Sequence, residues 1–292
     1  MISVLLTIAV VGVTGNAVVI VTILRNYRGE SWTYLLMCHL ALCDLLTCLI
    51  GGPLWITTYV TKIFPLCRTA IFISTIFLLA SSMTLVLIAY DRYIYIKYSL
   101  RYPIVMTKRR INSLLVIVWA LSFGSAFSMV MLLETTDVTN MRHCVATTLV
   151  NRWLMLWIGF IFTIVPNIAL VFAYSFILRT ALRQQRIVQA STRASTSSDV
   201  SDQAAKKTKL RKERRTIITL TAVVFVYFVC VMPYSIVGFL DAVSPGILKE
   251  ARQVHLTSLL VFSNSAINPI LYTATNKQLR EQVRGAFRFT RI

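Results

Sequence analysis

The chain has 292 residues, of which 57% are hydrophobic and 14% are charged, and its formal net charge is +19. Soluble domains carry about 25% charged residues, so this composition argues against a soluble protein and predicts a polytopic membrane protein. The basic residues lie in short segments between apolar runs, which favours contact with the inner face of a membrane over nucleic-acid binding.

Seven apolar runs are long enough to cross a membrane as helices, since a span of the hydrocarbon core takes about 20 residues. Continuous runs of this kind exclude a β-barrel, whose strands alternate in about 10-residue segments. We therefore predict an all-α membrane protein, a seven-transmembrane helix bundle forming one domain over 1–292. The predicted spans cover 2–25, 33–59, 64–97, 110–133, 150–180, 214–241 and 252–274.

Two segments between and after the spans have their own character. The serine-rich segment 183–211 is poor in apolar residues and is predicted to be a flexible cytoplasmic loop. The segment 276–288 places Leu279, Val283 and Phe287 on one helical face among basic residues. This pattern predicts a short amphipathic helix on the inner membrane leaflet after the last span.

The distribution of lysine and arginine predicts the orientation. The segments after the first, third, fifth and seventh spans hold 24 of the 30 basic residues, and basic loops stay in the cytoplasm. The N-terminus is therefore expected outside and the C-terminus inside. Cys67 and Cys144 fall on the outer side, where a disulfide can persist, whereas the other four cysteines lie in apolar runs and are expected to be buried thiols.

The inner end of the third span carries adjacent charges, Asp91 and Arg92. Charges at this depth are costly and usually face the protein interior with a partner. The guanidinium of Arg92 is suited to a bidentate carboxylate contact. The simpler alternative is an interfacial anchor, in which the side chain of Arg92 reaches back to the membrane surface.

Asp44 is the one carboxylate predicted near the middle of a span. Its polar neighbours in other spans would be Ser81, Asn264, Ser265 and Asn268. Carboxylate, hydroxyl and amide oxygens together suit a small hard cation. A protonated aspartate in a hydrogen-bonded core is the alternative.

An ordered set of motifs, about one in each span, resembles the rhodopsin-like, or class A, G-protein-coupled receptors. The resemblance covers nearly the whole chain, and its subfamily stays unassigned apart from some likeness to melanocortin and adenosine receptors over Asp91–Arg110. The motifs are Gly15-Asn16, Leu40-Ala-Leu-Cys-Asp44, Asp91-Arg92-Tyr93, Trp119, Pro166, Tyr174, Cys230-Val-Met-Pro233 and Asn268-Pro269-Ile-Leu-Tyr272.

The resemblance implies a disulfide between Cys67 and Cys144 and a sodium ion, rather than a proton, at Asp44. It implies no cofactor beyond this allosteric ion. It further implies a switch in which Arg92 pairs with Asp91 and Glu213 at rest and then moves to tyrosine partners as the sixth span swings outward. The residues of this coupling and activation switch would be Asp91, Arg92, Tyr93, Leu100, Tyr174, Glu213, Asn268, Pro269 and Tyr272.

An outward-facing ligand pocket between the third, fifth, sixth and seventh spans is implied as well. Its apolar walls and few hydroxyls would favour a neutral or lipid-like ligand, although a plain bundle core has the same composition. The pocket candidates are Ser74, Leu78, Ile158, Phe162, Tyr234, Ser235, Ser258 and Phe262.

Three positions depart from the family pattern: Val231 stands where a tryptophan is usual, Tyr227 where phenylalanine is usual and Ser99 where proline is usual. Two more differ from particular subfamilies: Ser74 stands where amine receptors carry aspartate, and Phe262 where opsins carry lysine. An amine held by a carboxylate and a retinal Schiff base are therefore not expected.

The resemblance implies a receptor, not an enzyme, in the plasma membrane. Its expected partners are an extracellular ligand, a heterotrimeric G protein, arrestin, receptor kinases and membrane lipid. Two alternatives stay open: a signalling-silent or constitutively active seven-helix protein, and a transporter or channel, which would show internal repeats.

Overall fold

A computed structural model of the protein describes residues 2–26, 32–98, 100–131, 152–160, 164–194, 200–244, 251–275 and 280–281. These residues are almost entirely helical and include no strand, in agreement with the predicted all-α membrane fold. Helices suit apolar runs because every backbone polar group then finds its partner within the same segment. The α-helices are α1 (Ile2–Asn26), α2 (Trp32–Leu46), α3 (Gly52–Thr61), α4 (Phe64–Lys97), α5 (Tyr102–Val105), α6 (Lys108–Met131), α7 (Arg152–Gly159), α8 (Val165–Ala194), α9 (Val200–Val243) and α10 (Ala251–Thr275).

Five of the described helical segments are long and apolar enough to cross a membrane. A shorter apolar helix covers Val165–Thr180, and α10 runs over the region of the seventh predicted span. The membrane-crossing segments are Ile2–Arg25, Trp32–Thr61, Phe64–Lys97, Lys108–Met131 and Thr221–Asp241.

The segment predicted as a flexible loop, 183–211, differs from that prediction. Helix α8 continues to Ala194 and α9 already begins at Val200. The segment is rich in alanine, glutamine, lysine and arginine, which favour helix even where no apolar face is buried. Low hydrophobicity therefore did not exclude helix here.

Helix α4 is the central element of the bundle. Its 34 residues extend over about 50 Å, so it reaches beyond the hydrocarbon core of a membrane. It packs against α2, α6 and α8, while α1 packs against α2 and α10, and α9 packs against α10. The main buried cluster includes Val19, Leu40, Leu85, Ile88, Tyr227 and Tyr272.

A π-helical turn, Thr47–Gly51, separates α2 from α3. A π turn holds one more residue than an α-helical turn would, so it rotates everything that follows about the helix axis. Pro53 lies in the first turn of α3, where its missing N–H removes no required hydrogen bond. The turn therefore decides which side chains of α3 face the bundle.

Helix α1 approaches its neighbours closely at two glycines. A Cβ atom at Gly15 would lie 2.9 Å from the Cβ of Pro269. At Gly12 it would overlap Sγ of Cys48 and lie 3.1 Å from that residue's Cβ. Small residues allow helices in a membrane to pack backbone against backbone.

We expect Gly12→Ala to lower the thermal unfolding midpoint of the purified protein, because overpacking a close contact costs about 1–3 kcal/mol. Adding Cys48→Ala should recover part of the loss by removing the overlapping sulfur. Gly124→Ala is the matched control, since a Cβ there meets nothing within 4 Å. The unfolding midpoint is measured by tryptophan fluorescence. If Gly12→Ala and Gly124→Ala lower it equally, the close contact at Gly12 is contradicted.

Candidate functional site

The carboxylate of Asp91 is the centre of a buried polar cluster near the C-terminal end of α4. Its Oδ2 accepts hydrogen bonds from Thr33 Oγ1 at 2.7 Å and from Arg92 Nε and Nη2 at 2.9 and 2.7 Å. Its Oδ1 accepts a hydrogen bond from the hydroxyl of Tyr102 at 2.6 Å. Because Asp91 is fully buried, these charge-assisted bonds replace its lost hydration.

The guanidinium of Arg92 stays beside Asp91 and turns inward. Its side chain is 13% exposed, and its Cζ lies 5.2 Å above the ring of Tyr95. This geometry removes the interfacial-anchor interpretation for Arg92, which required the side chain to reach the membrane surface. A neighbouring acid and an aromatic face together hold the cation in place.

Tyr102 connects this cluster to the short helix α5. Its ring packs edge-on against Tyr95 at 5.3 Å, and its hydroxyl contacts Asp91. Burial, and then the nearby Asp91 carboxylate, raise the pKa of the Tyr102 phenol, so it remains a proton donor at neutral pH. Leu100, just before α5, is 94% exposed.

The structure does not bring all predicted switch residues together. The side chain of Glu213 lies outside the described residues, so its pairing with Arg92 stays a prediction. Tyr174 and Tyr272 are buried, and the hydroxyl of Tyr272 has no hydrogen-bond partner among the residues that the structure describes. Tyr93 lies apart from Arg92: its ring packs against Phe176 of α8 with centroids 4.8 Å apart.

A second buried cluster surrounds Asp44. Oδ1 of Asp44 accepts hydrogen bonds from Ser81 and Ser265 at 3.0 and 2.9 Å, and Oδ2 accepts one from Asn268 Nδ2 at 2.8 Å. Three of the four predicted neighbours therefore contact the carboxylate, whereas Asn264 does not bond to it.

The donor set around Asp44 fits a small hard cation. Every described partner of Asp44 is a neutral donor, and its carboxylate is fully buried. Within the described part of the chain, the side-chain oxygens of Asn264, Asn268 and Asn16 are buried without a hydrogen-bond partner. Nδ2 of Asn16 donates to the Ser265 carbonyl at 2.9 Å. Unpartnered buried oxygens call for an explanation such as an ion or water, and oxygen ligands are those that hard cations prefer.

The outer pocket candidates are placed only in part. The side chain of Ser74 is buried and accepts a hydrogen bond from the indole N–H of Trp55 at 3.0 Å. Phe262 packs edge-on against Trp55 with ring centroids 6.3 Å apart. Leu78, Tyr234, Ser235 and Ser258 are half-buried, while Phe162 and the side chain of Ile158 lie outside the described residues.

Cys67 is buried and disulfide-bonded. Cys144 lies outside the described residues, so the predicted pairing of these two cysteines stays a prediction. The cysteines expected in apolar runs, Cys38, Cys43, Cys48 and Cys230, are free thiols.

Sequence reasoning missed several polar partners. The clearest cases are Thr33 and Tyr102, which donate hydrogen bonds to Asp91. A second case is Trp55, which donates a hydrogen bond to Ser74. A third is the link between α2 and α6, in which the indole N–H of Trp119 donates to Nε2 of His39 at 2.9 Å. A threonine at the start of a span, or an aromatic residue in a basic loop, does not by itself indicate a buried hydrogen bond. Only the position of a charged residue nearby could have suggested such a bond.

Comparisons with known proteins find a matching family and relatives that cover most of the chain. The sequence profile of the "7 transmembrane receptor (rhodopsin family)" matches residues 15–272. The growth hormone secretagogue receptor type 1 of Oryctolagus cuniculus is 29% identical over 94% of this chain and 76% of its own length. The QRFP-like peptide receptor of Branchiostoma floridae is 25% identical over 91% of this chain and 72% of its own length. The histamine H2 receptor of Canis lupus familiaris is 25% identical over 98% of this chain and 79% of its own length.

Proposed function

The chain belongs to the rhodopsin family of seven-transmembrane receptors, and on that premise we propose how its residues hold a resting state and release it. The protein is a G-protein-coupled receptor with an unidentified ligand, and it is not an enzyme. It is a multi-pass membrane protein. We propose below which residues switch the receptor between its states and which partners it binds.

We propose that the Asp91 cluster holds the resting state. The observation that carries this is the inward-facing Arg92 guanidinium, which shares one carboxylate with the donors Thr33 and Tyr102. Such a cluster joins the start of α2, the end of α4 and helix α5. Because charge-assisted bonds at the edge of a bundle can be exchanged for others, the same residues can form a second stable arrangement.

The active arrangement would take Arg92 away from its acids. Glu213, in the N-terminal half of α9, would lose its contact with Arg92 as that helix swings outward around Pro233. Tyr174 and Tyr272 would then approach Arg92, and the unpartnered Tyr272 hydroxyl supports this, because a buried hydroxyl without a bond gains by finding one. Asn268 and Pro269, in the same helix as Tyr272, would transmit the movement.

The exposed Leu100 would then meet the G protein. A leucine that is 94% exposed next to a short helix anchored on Asp91 is well placed to fill an apolar pocket of a partner. Tyr93 would position this region through its contact with Phe176. Arrestin, receptor kinases and membrane lipid are further proposed partners on the same face.

The orientation follows from the charge distribution. With 24 of 30 basic residues on the side of α5, that side would be cytoplasmic and the N-terminus would lie outside. A plasma-membrane location and an outer Cys67–Cys144 disulfide fit this placement. The outer ends of α4, α9 and α10, with Ser74, Tyr234 and Phe262, would then form the ligand pocket.

For the Asp44 site we propose an allosteric sodium ion held by Asp44, Ser81, Ser265, Asn268 and Asn264. A bound cation would neutralise the buried carboxylate. The chain's own contribution is to present three neutral donors to the Asp44 carboxylate, together with the spare amide oxygen of Asn268, whose Nδ2 bonds to that carboxylate. Asn264 would add its own buried amide oxygen.

We expect sodium chloride to raise the thermal midpoint of the ligand-free receptor relative to N-methylglucamine chloride, and Asp44→Asn to abolish this difference. A ligand of the folded state at ten times its dissociation constant contributes about 1.4 kcal/mol. Asp241→Asn, at the outer end of α9, is the matched control. A sodium response that survives Asp44→Asn would remove this carboxylate from the site, and a sodium effect on agonist affinity should disappear in the same variant.

The departure at Val231 favours one alternative, a seven-helix protein that is signalling-silent or constitutively active. Membership of a receptor family leaves the transporter or channel alternative without a supporting observation. The deciding experiment is nucleotide exchange on purified heterotrimeric G proteins of each class by the receptor in lipid nanodiscs, without ligand and with a ligand library. Exchange above empty nanodiscs supports the receptor, and no exchange under any condition supports the silent protein.

A further inference from the structure

Ser74 differs from most hydroxyl residues in the helices of this protein. In a helix a serine or threonine hydroxyl commonly donates to the carbonyl four residues earlier. Residues of this kind occur throughout the described helices, as at Thr14, Ser82, Ser128 and Ser263. The Ser74 hydroxyl instead accepts a hydrogen bond from Trp55, and its own proton has no acceptor among the described residues.

Trp55 fixes the direction of this hydroxyl. Its indole N–H can only donate, so the Ser74 oxygen must accept. A hydroxyl that accepts one hydrogen bond becomes a stronger donor for another. Ser74 is 4% exposed, so its free proton lies in a buried setting where an unmade hydrogen bond is costly.

Gly51 lies close against this arrangement. A Cβ atom at that position would lie 3.3 Å from Ser74 Oγ and 3.6 Å from Cε1 of Phe262. The contacts bring together α3, α4, α10 and the π turn that Gly51 closes. Ser74, Trp55, Phe262 and Gly51 thus form one group at the outer half of the bundle, which we call the Trp55 cluster.

The Trp55 cluster contains no charged side chain. A buried ammonium without a counter-charge is strongly disfavoured, whereas an amide or ester carbonyl needs only a donor. Aromatic edges from Trp55 and Phe262 supply apolar surface beside that donor. These features match the composition of sites for small uncharged ligand groups.

We propose that Trp55 and Ser74 are a specificity-determining pair that receives an uncharged hydrogen-bond acceptor of the ligand, such as a carbonyl next to an aromatic or aliphatic group. The inference rests on the proposed function, because it names the ligand chemistry of the pocket proposed there. Trp55 positions the hydroxyl, and Ser74 donates to the ligand.

The test uses benzamide and benzylamine as matched probes, which share a ring and differ in carbonyl against ammonium. Binding to the purified receptor in nanodiscs is measured by saturation-transfer NMR titration. We expect saturable binding of benzamide and at least tenfold weaker binding of benzylamine. Ser74→Ala should weaken benzamide binding about tenfold, and Trp55→Phe, which keeps an aromatic ring but loses the N–H, should weaken it to a smaller extent.

Thr75→Val is the control, since the hydroxyl of that neighbouring residue faces Met129 of α6. Ser74→Cys, close in size and a weaker donor, should bind benzamide with intermediate affinity and guards against a folding defect in Ser74→Ala. The proposal is overturned if benzamide does not bind saturably, if benzylamine binds as well, or if Ser74→Ala binds like wild type.

G-protein exchange by the same preparations separates this inference from the proposed function. A receptor that drives exchange but shows none of the expected probe selectivity overturns the ligand chemistry alone. A receptor with the expected selectivity but no exchange supports the Trp55 cluster and counts against signalling.

Discussion

Arg92→Ala is expected to reduce G-protein nucleotide exchange to a tenth or less of the wild-type rate, with or without ligand. In the proposed active state the guanidinium is the group that the tyrosines and the G protein would meet, and hydrogen bonds to a charged group contribute about 1.5–3 kcal/mol. The measurement is GTP-analogue binding to purified heterotrimers at matched amounts of folded receptor.

Arg68→Ala provides the control for that experiment. Arg68 lies in the same helix, α4, but is exposed near its opposite end, so the same substitution should leave exchange unchanged. If Arg92→Ala drives exchange as well as Arg68→Ala, the switch assigned to Arg92 is wrong.

Asp91→Asn is expected to have the opposite effect and to raise ligand-free exchange about tenfold. Asparagine keeps one acceptor oxygen, for either Tyr102 or Thr33, because those two residues bond to different oxygens of Asp91. It also loses the charge that holds Arg92, a difference of about 1.4 kcal/mol or more. The same exchange assay without ligand measures it, with Asp241→Asn as the variant of equal charge change.

Glu213→Ala should also raise ligand-free exchange if both acids restrain Arg92. The two variants then report how the restraint is divided, and the double variant should exceed either one only if each acid holds the resting state independently. Ligand-free exchange at the wild-type level in Asp91→Asn would show that this carboxylate serves only the fold.

The composition and the apolar runs were sufficient to predict the fold class, because crossing a membrane restricts the chain to helices of a known length. Charges in apolar surroundings were equally informative. Asp44, Asp91 and Arg92 stand out from the sequence since each needs a buried partner, and the structure supplies partners for all three.

The partners themselves were harder to predict. Thr33 lies 58 residues from Asp91, and it meets that carboxylate only because α2 and α4 pack side by side. In the sequence Tyr102 looks like an ordinary aromatic residue of a loop, but in the structure it begins α5 and its hydroxyl contacts Asp91. A helix made mostly of polar and small residues, as over 183–194, leaves too few apolar residues to form a detectable pattern, although local propensity favours the helix.

The π turn Thr47–Gly51 has a consequence for transferring knowledge from relatives to this receptor. One surplus residue turns the rest of the helix by about 100°, because an α-helix completes a turn in 3.6 residues. An alignment without a gap against a relative that lacks this turn would pair Trp55 with a residue on a different face. Mutational maps of such relatives must be offset by one position beyond Gly51 before they are applied here.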